Sequence, residues 1–200
     1  DQHVAFGQRF GELHIHPSAP CVDNRPELMK IHSDATSPFA EGTAWHTDVS
    51  SDVEPPMGSI LHLTTVPKLG GDTLFASMYA AYDALSDTMK TMLDPLVALH
   101  TSDVHYGRYE PIGGGLRRDE WPQAEHPVIR THPETGRKSI YVNKSFTQRI
   151  IGMKPAESDA ILNFLYAHCT NPQFQCRFRW EQNSVAFWDN RCTQHHATWD

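Results

Sequence analysis

Two short segments of this 200-residue chain carry residue types that bind metals. The first is His46-Thr47-Asp48, and the second, far downstream, is Gln194-His195-His196. Side chains two residues apart on an extended segment share a face, so His46 and Asp48 are expected to point the same way. One more imidazole would complete a set of two histidines and one carboxylate, which leaves three adjacent positions open on an octahedral Fe(II). The pattern therefore predicts O2 chemistry at a non-heme iron.

The pattern alone leaves the third ligand open. His195 and His196 would point to opposite faces of an extended segment, so only one of them could ligate. The segment after Trp188 is unusually polar for one that follows an apolar strand, and polar groups placed there need a reason. The rival imidazoles are His14, His16, His62 and His100. The alternative to a metal site is a hydrogen-bonded or salt-bridged His-Asp pair on a surface strand.

The elements that must position these residues are mostly strands. Apolar residues at helical spacing predict a helical segment over 77–93, broken near Ser86, and a helix over 155–168 that begins with Pro155. A Gly-rich, charged segment over 107–125 is predicted to be a mobile loop that closes over the site. Short strands are predicted over 12–16, 28–32, 57–66, 138–143, 175–180 and 184–188. The arrangement favours a β-sandwich or barrel core with helices packed on one side.

Composition excludes several classes of partner. The chain is 39% hydrophobic and 20% charged, which is typical of one globular domain, and its net charge of −7 comes without a basic stripe. We therefore expect no nucleic-acid partner. No apolar run reaches the length of a membrane span and no signal-peptide pattern is present, so we expect no membrane partner. The cysteines are scattered and lack the paired spacing of metal ligands, which predicts reduced thiols in a cytoplasmic protein. They are Cys21, Cys169, Cys176 and Cys192.

Three motifs together resemble the Fe(II)- and 2-oxoglutarate-dependent dioxygenases of the taurine dioxygenase family. They are His46-x-Asp48, Gly70-Gly71-Asp72-Thr73 and Trp188-Asp189-Asn190-x-x-x-Gln194-His195. The similarity runs through almost the whole chain. It implies one dioxygenase domain over 1–200 with a double-stranded β-helix (jelly-roll) core and flanking helices. Because the segment at residue 1 looks like a helix already under way and no terminator follows Trp199, we expect this domain to lack N- and C-terminal portions of a longer protein.

The resemblance also assigns roles. It implies that His46, Asp48 and His195 hold the iron, with 2-oxoglutarate as cosubstrate and O2 as oxidant. Thr73 would hydrogen-bond the distal carboxylate of 2-oxoglutarate. The arginine that binds this carboxylate in a bidentate manner in the family would lie beyond Asp200. The products would be succinate, CO2 and a hydroxylated small organic anion. We also expect a homo-oligomer.

Matching the family's substrate pocket gives His16, Val49, Tyr106 and Phe146. Two positions depart from the taurine enzymes. Ala19 replaces a tyrosine and Gly42 replaces an asparagine, so two polar contacts to taurine are lost. We therefore expect another anion, such as an alkylsulfonate, an alkyl sulfate ester or an aryloxyalkanoate.

Two other classes of function stay open. A metal-dependent hydrolase could use the same His/Asp/His set with a metal-activated water as nucleophile. It would need a general base near the metal and no cosubstrate pocket, whereas Thr73 in its Gly-Gly-Asp-Thr context favours the oxygenase. A non-catalytic jelly-roll binding protein is the third possibility, and the intact His46, Asp48 and His195 argue against it.

Overall fold

The computed structural model describes residues 2–16, 21–22, 24–34, 36–37, 42–102 and 121–200. This part of the chain is mostly β, with few helices. Ala19, Tyr106 and most of the predicted loop over 107–125 lie outside the described residues. The last three residues of that predicted loop are instead part of a strand, Gln123–Pro127. Within the described residues, no helix is both long enough and apolar enough to cross a membrane.

The helices begin where the sequence supplies caps. The predicted helical segment over 77–93 is two helices, since the hydroxyls of Ser77 and Ser86 each accept a hydrogen bond from a backbone N–H three residues on. The longest helix begins at Pro155, and the Glu157 carboxylate accepts a hydrogen bond from the Lys154 N–H, 3.0 Å away, just before it. The helices are α1 (Gln2–Gly7), α2 (Met78–Asp83), α3 (Asp87–Leu93) and α4 (Pro155–Cys169).

All strand pairs in the described residues are antiparallel. The strands are β1 (Cys21–Val22), β2 (Arg25–Met29), β3 (Gly58–His62), β4 (Thr73–Ser77), β5 (Val97–Thr101), β6 (Gln123–Pro127), β7 (Ile129–Thr131), β8 (Lys138–Ile140), β9 (Thr147–Ile150), β10 (Gln175–Phe178), β11 (Val185–Asp189) and β12 (Thr193–Ala197). The three-stranded sheets have the orders β10-β4-β12 and β6-β5-β9, and the two-stranded pairs are β1-β2, β11-β3 and β7-β8.

The predicted strand over 12–16 is wrong. These residues pair with no strand among the described residues, and the His14 side chain instead bonds the Asp52 carboxylate, with Nε2 3.0 Å from Oδ2. An alternating run becomes a strand only when a neighbour accepts its backbone hydrogen bonds, which the run itself cannot supply. The strand predicted over 28–32 lies earlier, as β2, because its partner β1 meets it there.

The core fixes which way β12 faces. It contains buried side chains from α2, α3 and α4 together with strand residues, among them Met78, Leu93, Ile140 and Leu165. Gln194 points toward this core, and its amide donates a 2.8 Å hydrogen bond to the Val142 carbonyl. Because side chains alternate along a strand, His195 must face the opposite side.

Candidate metal centre and cosubstrate site

The backbone places His46 and His195 directly opposite each other. The two residues form an isolated antiparallel bridge and exchange both backbone hydrogen bonds, at 3.1 and 2.8 Å. Their ring centroids lie 4.1 Å apart. The bridge brings His195, and not His196, to the face where Asp48 lies. His196 packs instead against Trp45, with ring centroids 5.4 Å apart.

Asp48 closes the cluster. Its Oδ1 lies 3.5 Å from His46 Nε2 and 3.7 Å from His195 Nε2. One ligand atom from each of the three residues lies within 4.8 Å of the other two, close enough for one cation to contact all three. Burial opposes ionisation of Asp48, but the two imidazoles and a hydrogen bond from Ser59 outweigh it and hold the pKa of this carboxyl below its usual range.

Both imidazoles turn Nε2 toward Asp48. His46 Nδ1–H donates to the Ala44 carbonyl, 2.7 Å away, which fixes the ring with Nε2 as the nitrogen that can bind a metal. Burial, together with the facing His46, lowers the pKa of His195 to about 3. Its Nδ1 is buried without a hydrogen-bond partner in the part of the chain that the structure describes. Two imidazole nitrogens and one carboxylate oxygen are a ligand set that fits a divalent first-row cation.

Thr73 lies on the same side of the sheet as His195. In the β4–β12 ladder Phe75 pairs with His195 and Thr73 with Ala197. Thr73 lies two residues before Phe75 on β4, so its side chain points to the same face of the sheet as those of Phe75 and His195. Its hydroxyl accepts a 2.9 Å hydrogen bond from Trp180 Nε1. An indole N–H can only donate, so the proton of Thr73 Oγ1 stays available for another acceptor, such as a carboxylate. Sequence reasoning missed Trp180, since no motif marks it.

The candidate pocket residues are placed unevenly. Val49 follows Asp48 directly, is buried, and has a φ of 50°, which is strained for a β-branched residue. His16 lies in electrostatic range of Asp48: burial and His14 lower the pKa of His16, while Asp48 acts in the opposite sense. Phe146 is buried in the turn before β9, where its N–H donates to Asn143 Oδ1 over 3.0 Å. Tyr106 lies outside the described residues.

Gly42 lies against the proposed ligand His46. Its φ is +75°, and a Cβ built there would be 3.4 Å from His46 Cε1. Glycine and asparagine are the residues that most readily adopt this left-handed conformation. This backbone requirement gives a physical reason for the exchange between glycine and the asparagine expected from the family.

A second group of potential metal ligands, His132, Asp189 and Cys192, is occupied by hydrogen bonds. His132 Nδ1 accepts from the backbone N–H groups of Glu134 and Thr135, both at 3.2 Å, so Nε2 carries the proton and donates to Asp189. Asp189 also accepts from the Arg191 guanidinium. The contacts indicate a structural role for this group.

Comparison with known proteins finds similarity over the whole length of the chain. The family model described as taurine catabolism dioxygenase TauD, TfdA family, matches residues 1–200. The alpha-ketoglutarate-dependent sulfonate dioxygenase of Saccharomyces cerevisiae is 36% identical over 213 residues, which cover 100% of this chain and 50% of that protein. The alkylsulfatase of Acinetobacter baylyi is 32% identical over 210 residues, covering 98% of this chain and 63% of that protein.

Solved structures show the same likeness. The crystal structure of a taurine dioxygenase from Burkholderia xenovorans superposes with a TM-score of 0.78 at 39% identity, covering 98% of this chain and 65% of that one. The chain spans about half the length of the two fungal proteins among its curated relatives, in Schizosaccharomyces pombe and Saccharomyces cerevisiae.

Proposed function

This chain belongs to the taurine catabolism dioxygenase TauD, TfdA family, and on that basis we propose that it is the core of an Fe(II)- and 2-oxoglutarate-dependent dioxygenase. The observation that carries the proposal is the convergence of the His46 and His195 imidazoles on the Asp48 carboxylate. The Thr73 hydroxyl, on the same side of the sheet, supplies a donor for an anionic cosubstrate.

Each proposed residue has a defined task. His46, Asp48 and His195 would hold the cation, a ligand set that suits non-heme Fe(II). Thr73 donates a hydrogen bond to the distal carboxylate of 2-oxoglutarate. With Fe(II), 2-oxoglutarate and O2 bound, the site supplies the oxidising power that hydroxylates a C–H bond, with succinate and CO2 as coproducts. The protein contributes by placing one C–H bond of the substrate close to the metal.

The proposed substrate is a small organic anion other than taurine. Of the proteins named above, the Saccharomyces and Acinetobacter enzymes act, by their names, on sulfonates and on alkyl sulfates, and the Burkholderia enzyme acts on taurine. His16, half-buried near Asp48, is the proposed contact for the anionic group, and Val49, Tyr106 and Phe146 are proposed to line the apolar part of the pocket. Gly42 and Ala19 replace an asparagine and a tyrosine that are expected in taurine enzymes, and both replacements argue against taurine as the substrate.

A substrate panel tests this choice. Longer alkylsulfonates, alkyl sulfates and aryloxypropionates should each be offered beside taurine, with succinate formation as the readout. Two missing hydrogen bonds, each worth roughly 1–3 kcal/mol in a site built around them, predict a specificity constant for taurine about thirtyfold or more below that of the best substrate. Taurine as the best substrate would contradict the proposal. Substrate conversion without 2-oxoglutarate would point to the hydrolase instead.

Thr73→Ala should weaken the binding of 2-oxoglutarate without unfolding the protein. Loss of one hydrogen bond predicts a cost of about 0.5–1.5 kcal/mol, or roughly a two- to twelvefold higher dissociation constant by calorimetry. Thr73→Ser keeps the hydroxyl and should bind nearly as well as the wild type. Trp180→Phe should cause a smaller loss, because the hydroxyl remains but its orientation is no longer fixed. Equal affinity of the wild type and Thr73→Ala would remove Thr73 from the site.

Three further features belong to the same proposal. The strands are proposed to form the double-stranded β-helix (jelly-roll) core of one dioxygenase domain, as the structural likeness to a taurine dioxygenase supports. Association into a homo-oligomer stays a prediction that light scattering can test. A cytoplasmic location stays a prediction from the cysteines, all four of which are free thiols in the structure.

A further inference from the structure

The second oxygen of Asp48 has its own line of hydrogen-bond donors. While Oδ1 faces the two imidazoles, Oδ2 accepts a 2.5 Å hydrogen bond from the Ser59 hydroxyl on β3. Ser59 Oγ lies in turn 2.9 Å from Asn190 Nδ2. Asn190 follows β11 directly and is only 1% exposed. Burial of this kind makes a polar group costly unless its hydrogen bonds are made.

The direction of each hydrogen bond in this line is fixed by chemistry. An amide NH₂ has no lone pair to offer, so Asn190 Nδ2 donates to Ser59. Ser59 must then use its single proton on Asp48 Oδ2. The amide of Asn190 cannot be turned over, because its Oδ1 accepts from the Trp188 indole N–H at 3.0 Å, and that group only donates.

The same asparagine also holds the segment between the two proposed ligands. The Thr47 hydroxyl donates a 2.6 Å hydrogen bond to the Asn190 carbonyl. Thr47 is 3% exposed and is the middle residue of His46-Thr47-Asp48. Asn190 therefore contacts the His-x-Asp segment twice, once through its backbone and once, by way of Ser59, through its side chain.

We propose that Asn190 is a positioning residue that acts through Ser59 to hold Asp48 with Oδ1 toward His46 and His195. The inference rests on the proposed function, since it assumes that these three residues bind a metal. An Asp48 carboxylate that has lost its outer hydrogen bond can rotate, and the ligand set is then no longer preorganised. Outer hydrogen-bond partners of metal ligands typically contribute 10–100-fold to metal affinity or activity.

The decisive variant is Asn190→Asp, tested by Mn(II) binding in calorimetry. The new carboxylate keeps the shape and can still accept from Trp188, but it cannot donate to Ser59. Ser59 would then turn its proton toward this carboxylate and away from Asp48. We expect Mn(II) affinity to fall about 10–100-fold. Ser59→Ala should show a similar loss, and Ser59→Thr, which keeps the hydroxyl, should restore binding to within a few-fold of the wild type.

A matched control separates positioning from the general cost of a buried carboxylate. Asn143 is also 1% exposed, and its Nδ2 also donates to a serine hydroxyl, Ser50 Oγ, at 3.0 Å. Asn143→Asp should lower the melting temperature of the metal-free protein comparably while leaving Mn(II) affinity within about threefold of the wild type. This comparison works even if both variants are destabilised, since affinity is measured on the folded fraction at low temperature.

The double variant Ser59→Ala/Asn190→Asp tests whether Asn190 acts through Ser59. Ser59 and Asn190 belong to one line of hydrogen bonds, so the losses of Mn(II) affinity caused by changing each of them should not add. The double variant should therefore bind Mn(II) no more weakly than Ser59→Ala alone. Fully additive losses would overturn the inference, as would wild-type affinity in Asn190→Asp or an equal loss in Asn143→Asp. A wild type that binds no Mn(II) would contradict the proposed function itself, and the inference with it.

Discussion

His195→Ala is expected to lose metal-dependent turnover, with kcat/KM reduced at least about 10³-fold, which corresponds to roughly 4 kcal/mol of transition-state stabilisation. The reason is geometric. His195 supplies one of the two imidazoles that face Asp48, and alanine leaves only His46 and Asp48 to hold the cation. Succinate formation with saturating Fe(II) and the best substrate of the panel is the measurement.

His196→Ala is the matched control. The two histidines are neighbours on β12, but the His196 ring packs on Trp45, on the other face of the strand. The control should keep kcat/KM within a few-fold of the wild type, and both variants should show a folded melting transition without metal. Turnover that survives in His195→Ala and is lost in His196→Ala would reverse the assignment of the distal ligand.

The metal-free protein is expected to lose stability as the pH falls below about 6.5, and His100 is one source of this loss. This side chain is fully buried, and its Nδ1 lies 3.0 Å from Ser50 Oγ. Burial, followed by the nearby His126, lowers the pKa of His100 from 6.5 to about 3. The imidazole is therefore neutral in the folded protein at pH values where the unfolded chain already binds a proton.

The sign follows from proton linkage. Between pH 6.5 and about 3 the unfolded state carries more protons at His100, so the free energy of unfolding decreases as the pH falls. The difference in pKa predicts a loss on the order of 4 kcal/mol across this range. Above pH 6.5 both states are neutral at His100, and this contribution is fully present. Denaturant titrations at a series of pH values measure the effect.

His100→Asn isolates this contribution. Its side-chain oxygen can still accept from Ser50, while the titrating group is gone. The variant should be less stable at neutral pH because of the lost ring, but its stability should fall less steeply with acid, by up to about 1.4 kcal/mol per pH unit. Identical slopes in His100→Asn and the wild type would show that His100 does not cause the acid sensitivity.

Much of the site could be anticipated from residue spacing. The alternation of an extended segment places His46 and Asp48 on one face, and it shows that only one of His195 and His196 can join them. The choice between those two depends on a backbone bridge between segments almost 150 residues apart in sequence, which no local pattern encodes. It was the resemblance to the dioxygenases that indicated His195, and the bridge agrees with it.

The residues behind the site were not predictable in the same way. Trp180 and Ser59 act through hydrogen bonds to Thr73 and Asp48, yet each is an ordinary strand or loop residue in the sequence. Asn190 belongs to a recognised motif, but its amide contacts depend on the packing of β3 against β11. Helices were easier to predict from the sequence, because the period of apolar side chains and the serine caps are local signals. Strands were harder to predict, because a strand requires a partner, and residues 12–16 have none among the described residues.

The most direct test of the account is an anaerobic titration of the purified protein with Fe(II) and 2-oxoglutarate, followed by visible absorption. The proposed site predicts a weak charge-transfer band that appears only when both are present, that saturates at one Fe(II) per chain, and that is missing in His195→Ala. A spectrum in which Fe(II) and 2-oxoglutarate simply add, with no new band in the wild type, would contradict the claim that His46, Asp48 and His195 form the iron site of a 2-oxoglutarate-dependent dioxygenase.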